Sequence, residues 1–300
     1  MIPIDINLLK IKEARENHIN QLVCEIKKKL DDNGENVFTD YFTQDLIKRI
    51  LGDNPKKLYQ LHLLTLKTFI ADFNLNQLCD FYKAIDAKKD KENYTVKEKE
   101  IDDLFGQMTT FFDYNRFQDK KKNKYDLYDL ASKLDIPTCV YCNRMYTKTV
   151  IDDDGNKITR PTFDHWFPKS KYPLLSISFY NLIPSCTVCN STIKGSKDVS
   201  LENEFHPYYT HVDNSKKLEY SFNYDHKNYN NFKFKIKTSN KFSKDSVDAY
   251  ALEEIYKAHE DEIEDLRRIK DAYTESYLES IEKHILKHNI SREEIYRFAF

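Results

Sequence analysis

Three hundred residues with 40% hydrophobic and 14% aromatic side chains can bury one large core or two modest ones, so a folded globular chain is expected. Five glycines and eight prolines against 32% charged residues describe a chain dominated by helices. A formal charge of −2 gives no global pull toward nucleic acid, no apolar run approaches the roughly eighteen residues of a membrane span, and the opening MIPIDINLLKIKEAREN lacks a basic region followed by an apolar stretch; a soluble, cytoplasmic protein without membrane contact is the expectation.

From Asp5 to about Leu134 apolar residues recur at helical intervals, as in Ile19, Leu22, Val23, Ile26 and Leu30, or Leu58, Leu61, Leu64 and Phe69. The pattern predicts an N-terminal helical domain, 1–134, of four to six helices. Breaks fall at Asp31–Gly34, Gly52–Pro55 and Lys88–Asn93, all turn-forming or solvated compositions. Cys24 and Cys79 stand alone here and read as small buried thiols. The run Asp119–Lys124 reads as a solvated loop, with phosphate contact the less favoured alternative.

After Pro137 the period changes. Met145–Ile151 and Lys157–Phe163 are strand-like, with Asp152–Asn156 as the turn between them, which predicts a β-hairpin. Cys186–Lys194 reads as a short helix, and Leu218–Asp225 with Asn231–Lys237 as a second strand pair. From Asp245 to Leu286 the chain is again helical, with Leu252, Ile255, Tyr256, His259, Ile263, Leu266 and Ile269 spaced by three and four. Such a stripe serves a core, an oligomer or a partner equally well. The expected fold is α+β and mainly α: a central module at 135–212 between the N-terminal helices and, at 213–300, a strand pair followed by C-terminal helices.

The middle of the chain concentrates the chemistry. Between Cys139 and Lys197 eight basic residues stand against four aspartates, a basic island between acidic-leaning flanks. Six cysteines in a chain read as cytosolic argue against a disulfide framework. Four of them form two CxxC pairs, Cys139/Cys142 and Cys186/Cys189, the ligand set of a closed tetrahedral structural zinc site. With all four positions filled, such a zinc is a staple with no place for substrate.

Between the pairs lie Phe163-Asp164-His165-Trp166-Phe167-Pro168-Lys169 and Asn181-Leu182-Ile183, and the second pair runs into Asn190-Ser191-Thr192-Ile193-Lys194-Gly195. A neutral histidine can take a proton from water at physiological pH, which makes His165 a candidate general base. An adjacent carboxylate and an amide oxygen are hard ligands suited to Mg²⁺ or Mn²⁺, which makes Asp164 and Asn190 candidates to hold one. Lys169, Lys171, Lys194 and Lys197 bracket this centre and are candidate phosphate contacts; Arg144 and Lys148 are weaker ones.

Taken in order, Asp-His, a following Pro, Asn-Leu and CNxxxKG between two CxxC pairs resemble the HNH endonucleases, in their zinc-bearing branch built on a ββα-metal core. The resemblance covers roughly Cys139 to Lys197, a fifth of the chain. It implies a metal-dependent endonuclease acting on nucleic acid, DNA favoured, that leaves a 5′ phosphate and a 3′ hydroxyl. It also implies that Asn181 sits on the second strand and orients His165 through the backbone. Many family members carry His where this chain has Asn190, which favours Mg²⁺ or Mn²⁺ over softer metals here. Long helical flanks around a small module resemble effector nucleases of bacterial anti-phage defence, such as the Septu HNH subunit that works with an ATPase partner. The rival reading is a non-catalytic zinc module binding nucleic acid or a protein, which would need the four cysteines but not His165. A sequence-specific restriction nuclease is the other, and would carry a base-reading domain. Phe205-His206-Pro207-Tyr208 follows the core, with the role of His206 left open.

Overall fold

The structure, a computed structural model, describes residues 1–118, 124–195, 197, 199–209, 217–223, 234–262, 264–265, 268 and 274–281. The fold is mainly α, as the composition predicts, with three small two-stranded antiparallel sheets among the described residues. No helix among the described residues is long and apolar enough to cross a membrane. The chain forms two compact units, Met1–Glu219 with Ser239–Tyr250, and Tyr220–Thr238 with Ala251–Phe300.

In the first unit the described residues of the N-terminal part form eight helices rather than four to six: α1 (Leu9–Asp32), α2 (Val37–Tyr41), α3 (Gln44–Gly52), α4 (Pro55–Phe69), α5 (Leu75–Asp86), α6 (Val96–Phe111), α7 (Tyr114–Gln118) and α8 (Leu127–Leu134). Short polar residues set these starts. Asn36, Thr43, Asn54, Asn74, Thr95 and Asp126 each accept hydrogen bonds from first-turn amides, satisfying donors that would otherwise lack partners. Pro55 opens α4 where its missing N–H costs nothing. The predicted breaks at Asp31–Gly34 and Gly52–Pro55 fall at the ends of α1 and α3, and the third holds a 3₁₀ turn, Lys91–Asn93. The Asp119–Asn123 portion of the basic run lies outside the described residues.

The expected boundary at 134/135 does not separate compact units. Polar side chains from the helices reach into the module and satisfy its loop carbonyls. His18 of α1 donates from Nε2 to the Ile177 carbonyl (2.8 Å) and accepts at Nδ1 from the Tyr125 hydroxyl (3.1 Å). Tyr82 of α5 donates to the Lys171 carbonyl (2.8 Å) and is itself held by His62 Nε2 (3.1 Å). In the other direction Ser178 donates to the Ile50 carbonyl at the end of α3 (2.5 Å), and Ser176 donates to the Phe112 carbonyl. Burial of a loop requires partners for its polar backbone groups, and the helices supply them at Ile177 and Lys171. Helices and module therefore share one core.

Within the module, β1 (Val150–Ile151) pairs with β2 (Lys157–Thr159) across a turn in which Gly155 takes φ +81°, a conformation that suits glycine. The predicted strand Lys157–Phe163 is interrupted at Pro161, which has no N–H for a ladder. The chain then enters β3 (Thr162–His165), which pairs antiparallel with β4 (Leu182–Ser185) in the register Thr162↔Ser185 to His165↔Leu182. Cys186 follows, and Val188–Lys194 forms a π-helical segment closed by the 2.8 Å bond from Gly195 N to the Asn190 carbonyl. The order is strand, strand, helix. The helix α9 (Lys241–Ala249) belongs to this unit, where Ser246 Oγ accepts from Phe205 N (2.9 Å).

The second unit holds the predicted strand pair as β5 (Tyr220–Asn223) and β6 (Lys235–Thr238), then α10 (Leu252–Lys257) and a helix at Glu275–Ile281. Glu253 accepts from Ile236 N (3.0 Å) and so ties α10 to β6. Within the stretch expected to be helical from Asp245, α9 ends before Tyr250, and Ala251 takes φ 46° before α10 begins. The stripe positions Ile263, Leu266 and Ile269 lie outside the described residues.

Candidate metal centre and histidine site

The two CxxC pairs, far apart in sequence, meet. Cys139, Cys142, Cys186 and Cys189 are all buried, and their sulfurs lie within 4.8 Å of one another. Four thiolates around one tetrahedral zinc would stand about 3.8 Å apart, given Zn–S bonds of ~2.3 Å, so this cluster can hold a metal ion such as zinc. Each pair sits in a tight knuckle. The first closes through Asn143 N to the Cys139 carbonyl (2.8 Å), with Asn143 at φ 54°; in the second, Cys189 N approaches Cys186 Sγ at 3.4 Å. The N-terminal segment, with Met1 and Ile4 buried, is tied to the first knuckle by Ile2 N to the Val140 carbonyl and to the segment after the second by Ile4 N to the Pro207 carbonyl, both 2.8 Å.

Asp164 and His165 end β3, and the alternation of a strand sends their side chains to opposite faces. Asp164 is 2% exposed. Its Oδ2 accepts from the Tyr141 hydroxyl (2.6 Å) and its Oδ1 from the Lys194 ammonium (3.0 Å). The same ammonium donates to the His165 carbonyl at 2.6 Å. Burial pushes the Asp164 carboxyl up from its ordinary range, against the opposing pull of Lys194 and Tyr141. Tyr141 lies between Cys139 and Cys142 and stacks on Tyr250 with ring centres 4.0 Å apart, so the cysteine knuckle also fixes the carboxylate. Two hard oxygens, Asp164 Oδ1 and the His165 carbonyl, converge on one cation, the ammonium. That donor chemistry fits a divalent ion such as Mg²⁺ or Mn²⁺.

On the other face, His165 is partly buried. Its Nε2 lies 2.8 Å from the Ser176 carbonyl, an atom that can only accept, so Nε2 carries the proton and Nδ1 the lone pair. The Tyr114 ring meets the imidazole edge to face at 4.4 Å, and Lys169 Nζ lies 5.3 Å from the Tyr114 ring centre. Burial pushes the His165 pKa down to about 3, and Lys169 and Lys194 add to the effect. The imidazole is therefore neutral at physiological pH.

Asn181 ends a 3₁₀ turn immediately before β4, one residue short of the strand position expected for it. It is fully buried and every polar group of its side chain is used. The amide oxygen accepts from Phe167 N (2.7 Å), and the NH₂ donates to the Phe167 (3.1 Å) and Leu175 (2.8 Å) carbonyls. Its own carbonyl accepts from Trp166 N (3.1 Å). It thus binds both ends of the loop that leaves His165 and supplies Ser176.

Of the four candidate phosphate lysines, Lys169 and Lys197 are exposed. Lys194 is buried against Asp164, and Lys171 is buried and paired with Asp86 (2.8 Å), so neither faces solvent as expected. Each buried ammonium is held by a carboxylate, that of the buried Asp164 for Lys194 and that of the exposed Asp86 for Lys171. Asn190 is half-buried at the start of the π-helical segment. Arg144 and Lys148 are exposed. His206 is buried, accepts from Tyr208 N (3.1 Å) and packs on Trp166 with ring centres 4.7 Å apart, a packing role. Cys24 and Cys79 are exposed rather than buried. Sequence reasoning missed Tyr141 and Tyr114: the first lay in view inside a CxxC, whereas nothing in the local sequence marks the second. Comparison with family models, curated proteins and solved structures gave no match.

Proposed function

We propose that this chain is a metal-dependent endonuclease of the HNH kind that hydrolyses phosphodiester bonds in nucleic acid, with DNA the favoured substrate. The observation that carries the reading is the state of His165: it ends the first strand of a strand–strand–helix unit, its Nε2–H is pinned to the Ser176 carbonyl, and its Nδ1 holds a lone pair. A base fixed in one tautomer and one orientation is set up for proton abstraction from an attacking water, although the burial that lowers its pKa weakens it as a base. Asn181 supports it by holding both ends of the intervening loop. Asp164 and Asn190 would hold Mg²⁺ or Mn²⁺, which supplies charge neutralisation at the phosphoryl oxygens and help for the departing 3′ oxygen. Lys169 and Lys197, both exposed, would meet backbone phosphates. The cysteine cluster, loaded with zinc, staples the segment that presents Asn190. An effector role in bacterial anti-phage defence, with an ATPase or other protein partner, is the biological setting we favour.

One observation favours the non-catalytic reading: Asp164 is buried with both oxygens engaged, as in a purely structural ion pair. Plasmid nicking by purified protein with Mg²⁺ or Mn²⁺, wild type against His165→Ala, separates the two. The nuclease reading expects metal-dependent cleavage that falls by about 100-fold or more in the variant. Absence of cleavage under every metal and partner condition, in protein that retains zinc, would leave the binding module.

A further inference from the structure

The Lys194 ammonium occupies an unusual position for a lysine beside a candidate cation site. It is 2% exposed, and its two oxygen partners, Asp164 Oδ1 at 3.0 Å and the His165 carbonyl at 2.6 Å, belong to adjacent residues of β3. A buried ammonium is held only where fixed acceptors replace its water. Those acceptors are hard oxygens of the type a divalent cation takes. The second Asp164 oxygen is fixed by Tyr141 at 2.6 Å, so the carboxylate has little freedom to turn and serve two cations. A lysine cation and a divalent cation sharing one oxygen in a water-poor site would repel strongly.

Resting on the nuclease reading above, we infer that Lys194 is an intramolecular competitor for the divalent cation at Asp164, so that metal binds as the ammonium leaves. Lys194 ends the π-helical segment, and Gly195 follows at φ 52°, a sharp exit at the point where the side chain would have to swing. The released ammonium needs a new anionic partner. The phosphate of an incoming nucleic acid supplies one, so metal and substrate favour each other's binding and the site holds metal weakly until substrate arrives.

The test uses zinc-loaded full-length protein titrated with Mn²⁺, with free Mn²⁺ followed by its electron paramagnetic resonance signal and thermal unfolding followed in parallel. Wild type is compared with Lys194→Met, Asp164→Asn and the double variant. Removing the ammonium should tighten Mn²⁺ binding by about tenfold or more, an ordinary size for the coupling of two exclusive ligands. Lys194→Met should also melt below wild type without Mn²⁺, because it strands a buried carboxylate, and gain more from added Mn²⁺ than wild type does. Both variants carrying Asp164→Asn should lose that gain. If Lys194→Met folds only when Mn²⁺ is present, that rescue is the expected result in its strongest form. Failure to fold at any Mn²⁺ concentration, while the double variant folds, overturns the competition. Equal Mn²⁺ affinity in wild type and Lys194→Met, weakened in both by Asp164→Asn, also overturns it but leaves Asp164 as a metal ligand. Mn²⁺ affinity indifferent to Asp164→Asn would remove both the competition and the metal role.

Discussion

Single side chains set this site by spending all of their hydrogen-bonding capacity. Asn181 makes three bonds that need a side-chain amide, which both accepts from Phe167 N and donates to two carbonyls. Asn181→Asp should therefore fail like Asn181→Ala: each strands buried backbone groups, at about 1–3 kcal/mol apiece, and denaturant unfolding should show the loss. Tyr141→Phe removes the 2.6 Å bond to a buried carboxylate while keeping the ring. A cost of about 1.5–3 kcal/mol is expected in the same measurement. At this scale the sequence is readable where residue type and spacing alone imply chemistry, as with the four paired cysteines. It was misleading for Lys171 and Lys194, because a lysine beside a site looks the same in sequence whether it faces phosphate or is buried against an aspartate of its own chain.

Elements owe their boundaries to polar caps and their spacing to close contacts. The helix periodicity of Leu22, Ile26 and Leu30 was legible, but α2 and α7 are too short, five residues each, to show a period. Gly52, at the end of α3, lies where an added Cβ would run into Ile19 of α1. Gly52→Ala should destabilise by about 1–3 kcal/mol through overpacking, seen as a lower thermal midpoint. Helix α1 also carries a pH dependence. Burial pushes His18 down to about 4 and His62 of α4 to about 3, from 6.5. Each folded value lies below the unfolded one, so the unfolded chain takes up protons first as pH falls. The contribution of neutral His18 is thus intact above about pH 6.5 and is lost progressively toward pH 4, at most about 3 kcal/mol. Unfolding free energy measured against pH should fall over this window, and His18→Gln should flatten part of it.

Across the first unit, the module and the helices complete each other. His18, Tyr82, Ser176 and Ser178 bond across the junction at 134/135. A fragment ending at Leu134 should lack a cooperative thermal transition, because its helices would leave apolar faces and polar partners uncovered. Removing metal from the cysteine cluster should act on the same whole unit. A strong chelator, or Cys142→Ser, is expected to reduce bound zinc from about one per chain and to cost about 5 kcal/mol or more of stability. Metal analysis paired with calorimetry would check this.

The sequence by itself determined the helical character, the two CxxC pairs and the strand pair near residues 220 and 237. Those follow from local properties: periodicity, turn composition and ligand chemistry at fixed spacing. Only the tertiary structure decided that the cysteines converge, that Asn181 clamps a loop, that Lys194 is bound to Asp164, and that Tyr114 packs on His165. The physical reason is the same in each case. These are contacts between segments distant in the chain, fixed by burial and by the need to pair every buried polar group, and no local pattern records which partner is found.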